Sequence, residues 1–532
     1  MSLAKMPEIK VLGNGRKAWS ADFGSFRAKV YVPEQLPLSN IVNYGYLAPY
    51  LMILEEQERT MEEAVCFAEE AGFADVARKY SGSVVFLHPT SEHGWEDAPE
   101  TLFADVIANS RIHEYFTDGC VTAVNRFTGQ TEGYYIRGAI FRTAVYGCGK
   151  SADYIARNLL KTVNGQFLWG PGEITPACVI LEGLSVIPQP ERRDIPVVSI
   201  GNSAEINAAL QRGCDHLLIR EKADVRQDFA DFVWKYKRWV GGLQINPDLK
   251  EMHLVQEPGF VNVKTSPDNN GDDKGSDRHD IGYVAWYNEG LLEKGPLPTL
   301  LTFHGGGDSA VYIAYESGWY RIAHKYGFLL ISIENHLNST ATEMMELLEI
   351  LKEKYPIDAH RIYASGFSMG GCKTWDLYQE YPEVFAALAP MDATFEVGLN
   401  VYGQPAPKEI NRDVPVPVFY AGGEETPLPE LPFQAEKCHD RIRYLFEVNR
   451  LKTPYTAKYE EREHWAEPIY GIAGDKEEKV YDETRDSDLT LRYFADETGT
   501  YTTVLASISG QGHECRPHTC EEAWKFMSGF MR

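Results

Sequence analysis

The chain has 532 residues, 44% of them apolar, with 30 Tyr, 24 Phe and 10 Trp, enough for two or three packed cores, so any disorder should be confined to short stretches. Its formal charge of −25 excludes the basic footprint that nucleic acid or an anionic membrane surface would need. The remaining expectation is a neutral or cationic small-molecule substrate, or an oligomeric one, although an acidic surface is also a plain aid to solubility.

The opening "MSLAKMPEIKVLGNG" lacks the apolar segment of a leader, and no run of 18 apolar residues occurs, so neither a secretion signal nor a membrane span is predicted. A cytoplasmic protein is the expectation, while "MSL" also fits a cloning scar and leaves a removed signal open. Of the nine cysteines, Cys66, Cys120 and Cys178 sit in apolar runs and read as small buried hydrophobes. Cys515 and Cys520 are close enough to pair, but a reducing compartment would keep them as thiols. With no CxxC pair and no HExxH motif, no metal and no cofactor are expected.

Taken in chain order, the first elements alternate strand and helix. "APYLMIL" (48–54) reads as a strand after proline, and "GFADVARKYSGSVVFLHP" (72–89) as an amphipathic helix, a turn and an apolar strand. "IFRTAVYGCGKSADYIARNLL" (140–160) follows as strand, tight turn and helix; "ACVILEG" (177–183), "IPVVSIG" (195–201) and "HLLIRE" (216–221) follow as further strands, with "DFADFVWKYKRW" (228–239) as a closing helix. The polar run "KTSPDNNGDDKGSDRHD" (264–280) is a predicted loop, and a domain boundary is expected near 242–250.

Beyond it the series starts again. Strands are predicted around 252–263 and 281–287, then "LPTLLTF" (297–303), "GWYRIAHKYGFLLISIEN" (318–335), "RIYASGFSMGGCKTWDLYQ" (361–379), "AALAPMD" (386–392), "VPVFYAG" (416–422) and "CEEAWKFMSGF" (520–530). Each of these last six matches its counterpart in the first half, in the same order. The expectation is a duplicated, doubly wound α/β unit with mostly parallel sheets, divided as 1–245 and 246–532.

The second copy carries chemistry. Ser368 lies in Gly366-Phe367-Ser368-Met369-Gly370 between an apolar strand and a helix, the setting of a nucleophile elbow. Upstream, "TFHGGGDS" (302–309) places glycines where backbone N–H groups can crowd a carbonyl oxygen, so Gly305 or Gly306, together with Met369, are the predicted oxyanion-hole donors. After the last strand, in "YTTVLASISGQGHECRPH" (501–518), His513 is the predicted base, with His518 reading as a helix-start residue. "VPVFYAGGEETPLPE" (416–430) puts Glu425 at the predicted acid position, with Glu424 beside it. The order Ser, acid, His is that of the α/β-hydrolases.

The set "TFHGGGDS", "YASGFSMGG", "FYAGGEETPLPE" and "SISGQGHECRPHTCEEAWKFM" resembles α/β-hydrolase esterases of the polyhydroxybutyrate-depolymerase-like or feruloyl-esterase-like group, over roughly 281–532. That resemblance implies a cofactor-free serine carboxylesterase acting on a small or oligomeric ester; a homo-oligomer also fits. Glu at the acid position departs from the Asp usual in that group. The stretch from about 453 to 500, and a second at 395–412, are candidate caps. Two other readings use the same residues: a serine peptidase, or a silent protein that binds polyester or carbohydrate.

In the first copy Gly149 falls on the position of Ser368, Glu55 on that of His304 and Ala204 on that of the acid, and "KADVRQDF" after its last strand holds no histidine, so this half is expected to be inactive. Gly149-Lys150-Ser151 also imitates the end of a phosphate-binding loop, but the position of that loop's first glycine is Ala144, inside a strand, which disfavours a nucleotide site. The loop "HPTSEHGWED" (88–97) reads as a solvated cap more readily than as a site-facing segment.

Overall fold

The computed structural model describes residues 10–13, 15–33, 49–79, 82–109, 121–124, 131–134, 139–167, 170–229, 232, 247–271, 273–306, 308–334, 336–400 and 403–532. The closing helix predicted at 228–239 lies mostly outside them. The chain divides into two compact units, Met1–Met252 and His253–Arg532, so the break falls at 252 instead of 245.

The second unit is built on a ten-stranded sheet. Its strands are β1 (Leu254–Lys264), β2 (Arg278–Asn288), β3 (Leu297–Phe303), β4 (Leu329–Ile333), β5 (Ile357–Phe367), β6 (Ala387–Met391), β7 (Val418–Gly423), β8 (Lys476–Asp482), β9 (Ser487–Ala495) and β10 (Tyr501–Ile508), in spatial order β1-β2-β4-β3-β5-β6-β7-β10-β9-β8. From β4 through β10 every pairing is parallel. Every residue of β4, β6 and β7 is buried, as expected where helices cover both faces and the strands are continuous apolar runs.

Helices α1 (Ala310–Glu316), α2 (Trp319–Tyr326), α3 (Ala341–Lys354), α4 (Met369–Glu380), α5 (Glu436–Val448) and α6 (Pro517–Met527) connect or close the strands. Thr340 and Glu343 form a reciprocal capping box that starts α3. Leu347 of α3, Trp375 of α4 and Leu445 of α5 share a core with Leu301, Ile331 and Leu388 of the sheet. On α6, Trp524 stacks on Phe328 with ring centroids 3.7 Å apart.

The first unit carries a nine-stranded sheet in the order Lys10–Val11, Lys17–Asp22, Phe26–Val32, Ser83–Pro89, Pro49–Leu54, Ala139–Cys148, Cys178–Glu182, Val197–Ile200, Leu217–Arg220. Without Lys10–Val11 at one edge and the β9–β8 hairpin at the other, the two sheets have one strand order. Two antiparallel strands are followed by six parallel ones, the first two of these exchanged in space.

Parts of both expected caps are fastened to the body of the unit. Residues 476–482 and 487–495 form an antiparallel hairpin hydrogen-bonded to β10, which carries the sheet outward. The 395–412 stretch is fastened to Gln379, through Gly398 N–H (3.0 Å) and Asn411 N–H (2.7 Å). Gln379 lies at the end of α4 remote from Ser368, roughly 15 Å away at 1.5 Å per residue. Among the described residues no helix is long and apolar enough to cross a membrane.

Trp375 is fully buried and its Nε1–H donates to Ala393 O at 3.2 Å. Trp375→Ala is therefore expected to cost the second unit about 3–5 kcal/mol, read as a lower urea midpoint for that unit's transition.

Candidate active site

β5 ends at Phe367 and α4 begins at Met369, so Ser368 alone reverses the chain. It does so at φ 53° and ψ −118°, a conformation that costs an L-residue on the order of 1–3 kcal/mol. The turn closes because two neighbours lack side chains. A Cβ on Gly366 would run into the Gly370 carbonyl, and one on Gly370 into the Phe303 carbonyl. Ser368 N–H donates to Met391 O at 3.0 Å, which ties the turn to the end of β6.

The register then gathers the loops. Phe303 pairs with Gly366 and Phe367 with Met391, so β3, β5 and β6 end within a residue of one another; Met391 pairs with Ala421, so β7 and β10 run about two residues further. Ligand sites of open parallel sheets form at this carboxyl edge.

After β10 the chain turns through Ser509–Gly512 to His513. Gln511 Nε2 donates to Glu514 O (2.9 Å), and Arg516 reaches Ser487 Oγ (2.9 Å) and the Glu514 carboxylate (2.7 Å), which fixes the loop. His513 Nε2 lies 2.9 Å from Ser368 Oγ, and its ring packs 4.8 Å from that of Phe367. Nδ1 is hydrogen-bonded to Glu430 Oε1. A proton on Nδ1 directed at a carboxylate leaves the Nε2 lone pair to accept from the serine hydroxyl.

The carboxylate against His513 is therefore that of Glu430. Glu425 is exposed and contributes only its backbone N–H, donated to Gln511 O at 2.9 Å, while Glu424 accepts from Ser507 Oγ at 2.7 Å. The physical reason is the loop Thr426–Glu430. Glu430 is held by its backbone, with N–H donating to Gln434 Oε1 (2.8 Å) and C=O accepting from Tyr420 Oη, and Thr426 Oγ1 donates to Glu430 Oε1 (2.9 Å). Glu430 is 2% exposed. The available signal was its setting, a lone acid between Pro429 and Leu431 in an apolar stretch, where a solvated acid has no reason to be.

At the end of β3, His304 is buried, with Nδ1 2.7 Å from Gly305 O and Nε2 2.7 Å from Glu334 O. Of the two glycines expected to offer an amide, Gly305 lies against the Asp308 carboxyl, where a Cβ on it would come within 2.5 Å of Oδ2. Gly306 lies beside α4, where a Cβ on it would come within 3.2 Å of Met369 Cγ. Cys515 and Cys520 are buried free thiols with sulfurs 3.5 Å apart. Among the described residues no group of three or more His, Cys, Asp or Glu is arranged to hold a metal ion.

The first unit keeps the turn and has lost the groups. Gly149 stands at φ 58° and ψ −122°, close to the Ser368 values. Lys150 N–H donates to Glu56 Oε1 at 3.1 Å, and a Cβ on Gly149 would run into that same carboxylate. Lys150 Nζ pairs with Glu96 at 3.0 Å, and Ser151 Oγ bonds the Cys148 backbone at 2.9 Å. The groups that a phosphate loop would turn toward its ligand are thus engaged within the chain. The 88–97 loop does face this turn, through Glu96 and through Trp95, whose Nε1–H donates to Glu55 O.

Desolvation pushes the Asp308 carboxyl up to about 7 and that of Glu316, with Asp308 as its nearest like charge, up to about 8. Both folded values lie above the ordinary carboxyl range, so the folded protein holds protons that the unfolded chain releases. The stability they contribute is full below about pH 4 and is lost as pH rises to about 8. Asp308→Asn is expected to flatten the fall in Tm between pH 5 and pH 8, measured by thermal melts across that range.

No family model matches the chain. A bifunctional acetylxylan esterase/xylanase of Neocallimastix patriciarum is 27% identical over 135 residues, covering 24% of this chain and 19% of that protein. The chain thus spans about a fifth of the length of this curated relative. Among solved structures, the acetyl xylan esterase of Aspergillus awamori aligns over 51% of this chain and 99% of its own, at 12% identity and TM-score 0.33. The feruloyl esterase module of Clostridium thermocellum aligns over 52% and 88%, at 12% identity and TM-score 0.30, and the S-formylglutathione hydrolase of Staphylococcus aureus over 36% and 88%, at 16% and 0.27. By strand order, parallel register and the one-residue turn after β5, the second unit has an α/β-hydrolase fold, and the first unit repeats its sheet around a glycine.

Proposed function

We propose that the second unit is a serine carboxylesterase working through an acyl-enzyme on Ser368. The observation that carries this reading is the continuous hydrogen-bonded line Ser368 Oγ–His513–Glu430 at the carboxyl edge of the sheet. His513 Nε2 takes the hydroxyl proton as Oγ attacks the ester carbonyl. The Met369 and Gly306 amides, at the start of α4 and in the glycine loop, receive the oxyanion. The tetrahedral adduct then expels the alcohol, which takes the proton from His513. Water, deprotonated by the same imidazole, releases the acid and restores Ser368. Glu430 holds the tautomer and balances the imidazolium charge.

The local likeness to a bifunctional acetylxylan esterase/xylanase supports an O-acyl group on a carbohydrate as the substrate class. In this reading the first unit performs no chemistry, because Gly149 offers no nucleophile.

A fluorophosphonate probe is expected to label the protein at Ser368, and Ser368→Ala to abolish both labelling and ester turnover. Labelling that survives this substitution overturns the reading. Glu430→Gln is expected to lower kcat by on the order of 10³–10⁴-fold, whereas Glu425→Gln leaves it within about twofold; steady-state hydrolysis of acetyl esters distinguishes the two.

A further inference from the structure

The first residue after β6, Asp392, stands in the left-handed region at φ 46°. Its N–H donates to Ala421 O at 2.8 Å, and its Oδ1 accepts from Gly423 N–H at 2.9 Å, so it is held by β7 from both ends. It is 3% exposed, and its carboxyl is a close neighbour of that of Glu430, whose backbone oxygen also accepts from Thr394 Oγ1, two residues further on, at 3.3 Å. Glu430 Oε1 already serves His513 and Thr426, while Glu430 Oε2 is buried with no N–H or hydroxyl donor among the described residues.

We propose that Asp392 is a positioning residue whose protonated carboxyl donates to Glu430 Oε2, so that the acid behind His513 is a pair of carboxyls sharing one proton. The inference rests on the function proposed above. Two facing carboxyls out of contact with water cannot both ionise. The titratable groups shown against this pair include His513, Cys515, Cys438, Tyr420 and Tyr470, and His513 alone among these can carry positive charge. One negative charge is therefore matched and a second is not. The asymmetry decides which carboxyl keeps the proton: Glu430 faces the imidazole, whereas Asp392 has a backbone N–H on one oxygen and a carboxylate against it. Burial, and then the Glu430 charge, accordingly raise Asp392 far above the usual carboxyl range. The arrangement leaves no oxygen of Glu430 unpaired, and it restrains the basicity that Glu430 confers on His513.

Two substitutions separate this role from simple packing. Asp392→Asn keeps the shape, suits the left-handed turn and still offers an N–H to Glu430, so kcat is expected to stay within about threefold with the pH profile unmoved. Asp392→Gly also suits φ 46° but removes the donor. Its kcat is expected to fall 10- to 100-fold at nearly constant KM, and the acidic limb of kcat/KM to move to higher pH as His513 becomes more basic. Equal kcat and equal pH profiles for Asp392→Gly and the parent overturn the proposal. If Asp392→Gly does not fold, infrared spectroscopy of the parent decides. The protonated-carboxyl absorption at neutral pH is expected to lose one component in Asp392→Asn while the components of Asp308 and Glu316 remain; absorption unaltered by Asp392→Asn also overturns the proposal. Activity and probe labelling that persist in Ser368→Ala would instead remove the esterase reading and leave the infrared result standing.

Discussion

Strand β5 has to hand over to helix α4 within one residue, and there is room for that only because the Gly370 carbonyl can lie directly on the α-carbon of Gly366. This contact fixes the geometry at the sheet's edge. It sets the strained backbone of Ser368, aims the amide of Met369 from the first turn of α4, and holds the turn within hydrogen-bonding reach of Met391 at the end of β6. Because β3, β5, β6, β7 and β10 stop within about two residues of one another, the loops after them need only be short to converge on that serine. The strain is borne by the packing of the sheet and α4 around it, in keeping with unfavourable torsions persisting where their surroundings over-determine them.

Electrostatically the site consists of several acids around one imidazole. Glu430 lies against His513, Asp392 beside Glu430, and Asp308 of the glycine loop beside Glu316. Raised carboxyls let the chain place these oxygens close together without accumulating charge where a negative transition state would form. The pH at which such a site works is bounded by how long those protons stay on, as well as by His513.

Most of the fold was legible because a parallel strand covered on both faces leaves a run such as "LLISI" or "VFYAG" that only a buried strand explains, and the strand–helix alternation fixes the class. Ser368 and His513 were legible for a related reason, since each follows such a run at a turn rich in glycine. Glu430 was not, because distance along the sequence favoured Glu425, and the loop through Pro427 and Pro429 that carries the acid back to the histidine is fixed by tertiary contacts with Tyr420 and Gln434. The 476–495 hairpin was misread for a similar reason: a polar strand pair at a sheet edge alternates too weakly to be told from an excursion. Between Gly305 and Gly306 the sequence could not choose.

The carboxylate of Glu56, resting on the Lys150 amide against Gly149, has a consequence for descent. A serine side chain at 149 would meet that carboxylate before it met any substrate. A nucleophile at this turn therefore requires Glu56 to change along with Gly149, and neither replacement gains anything alone.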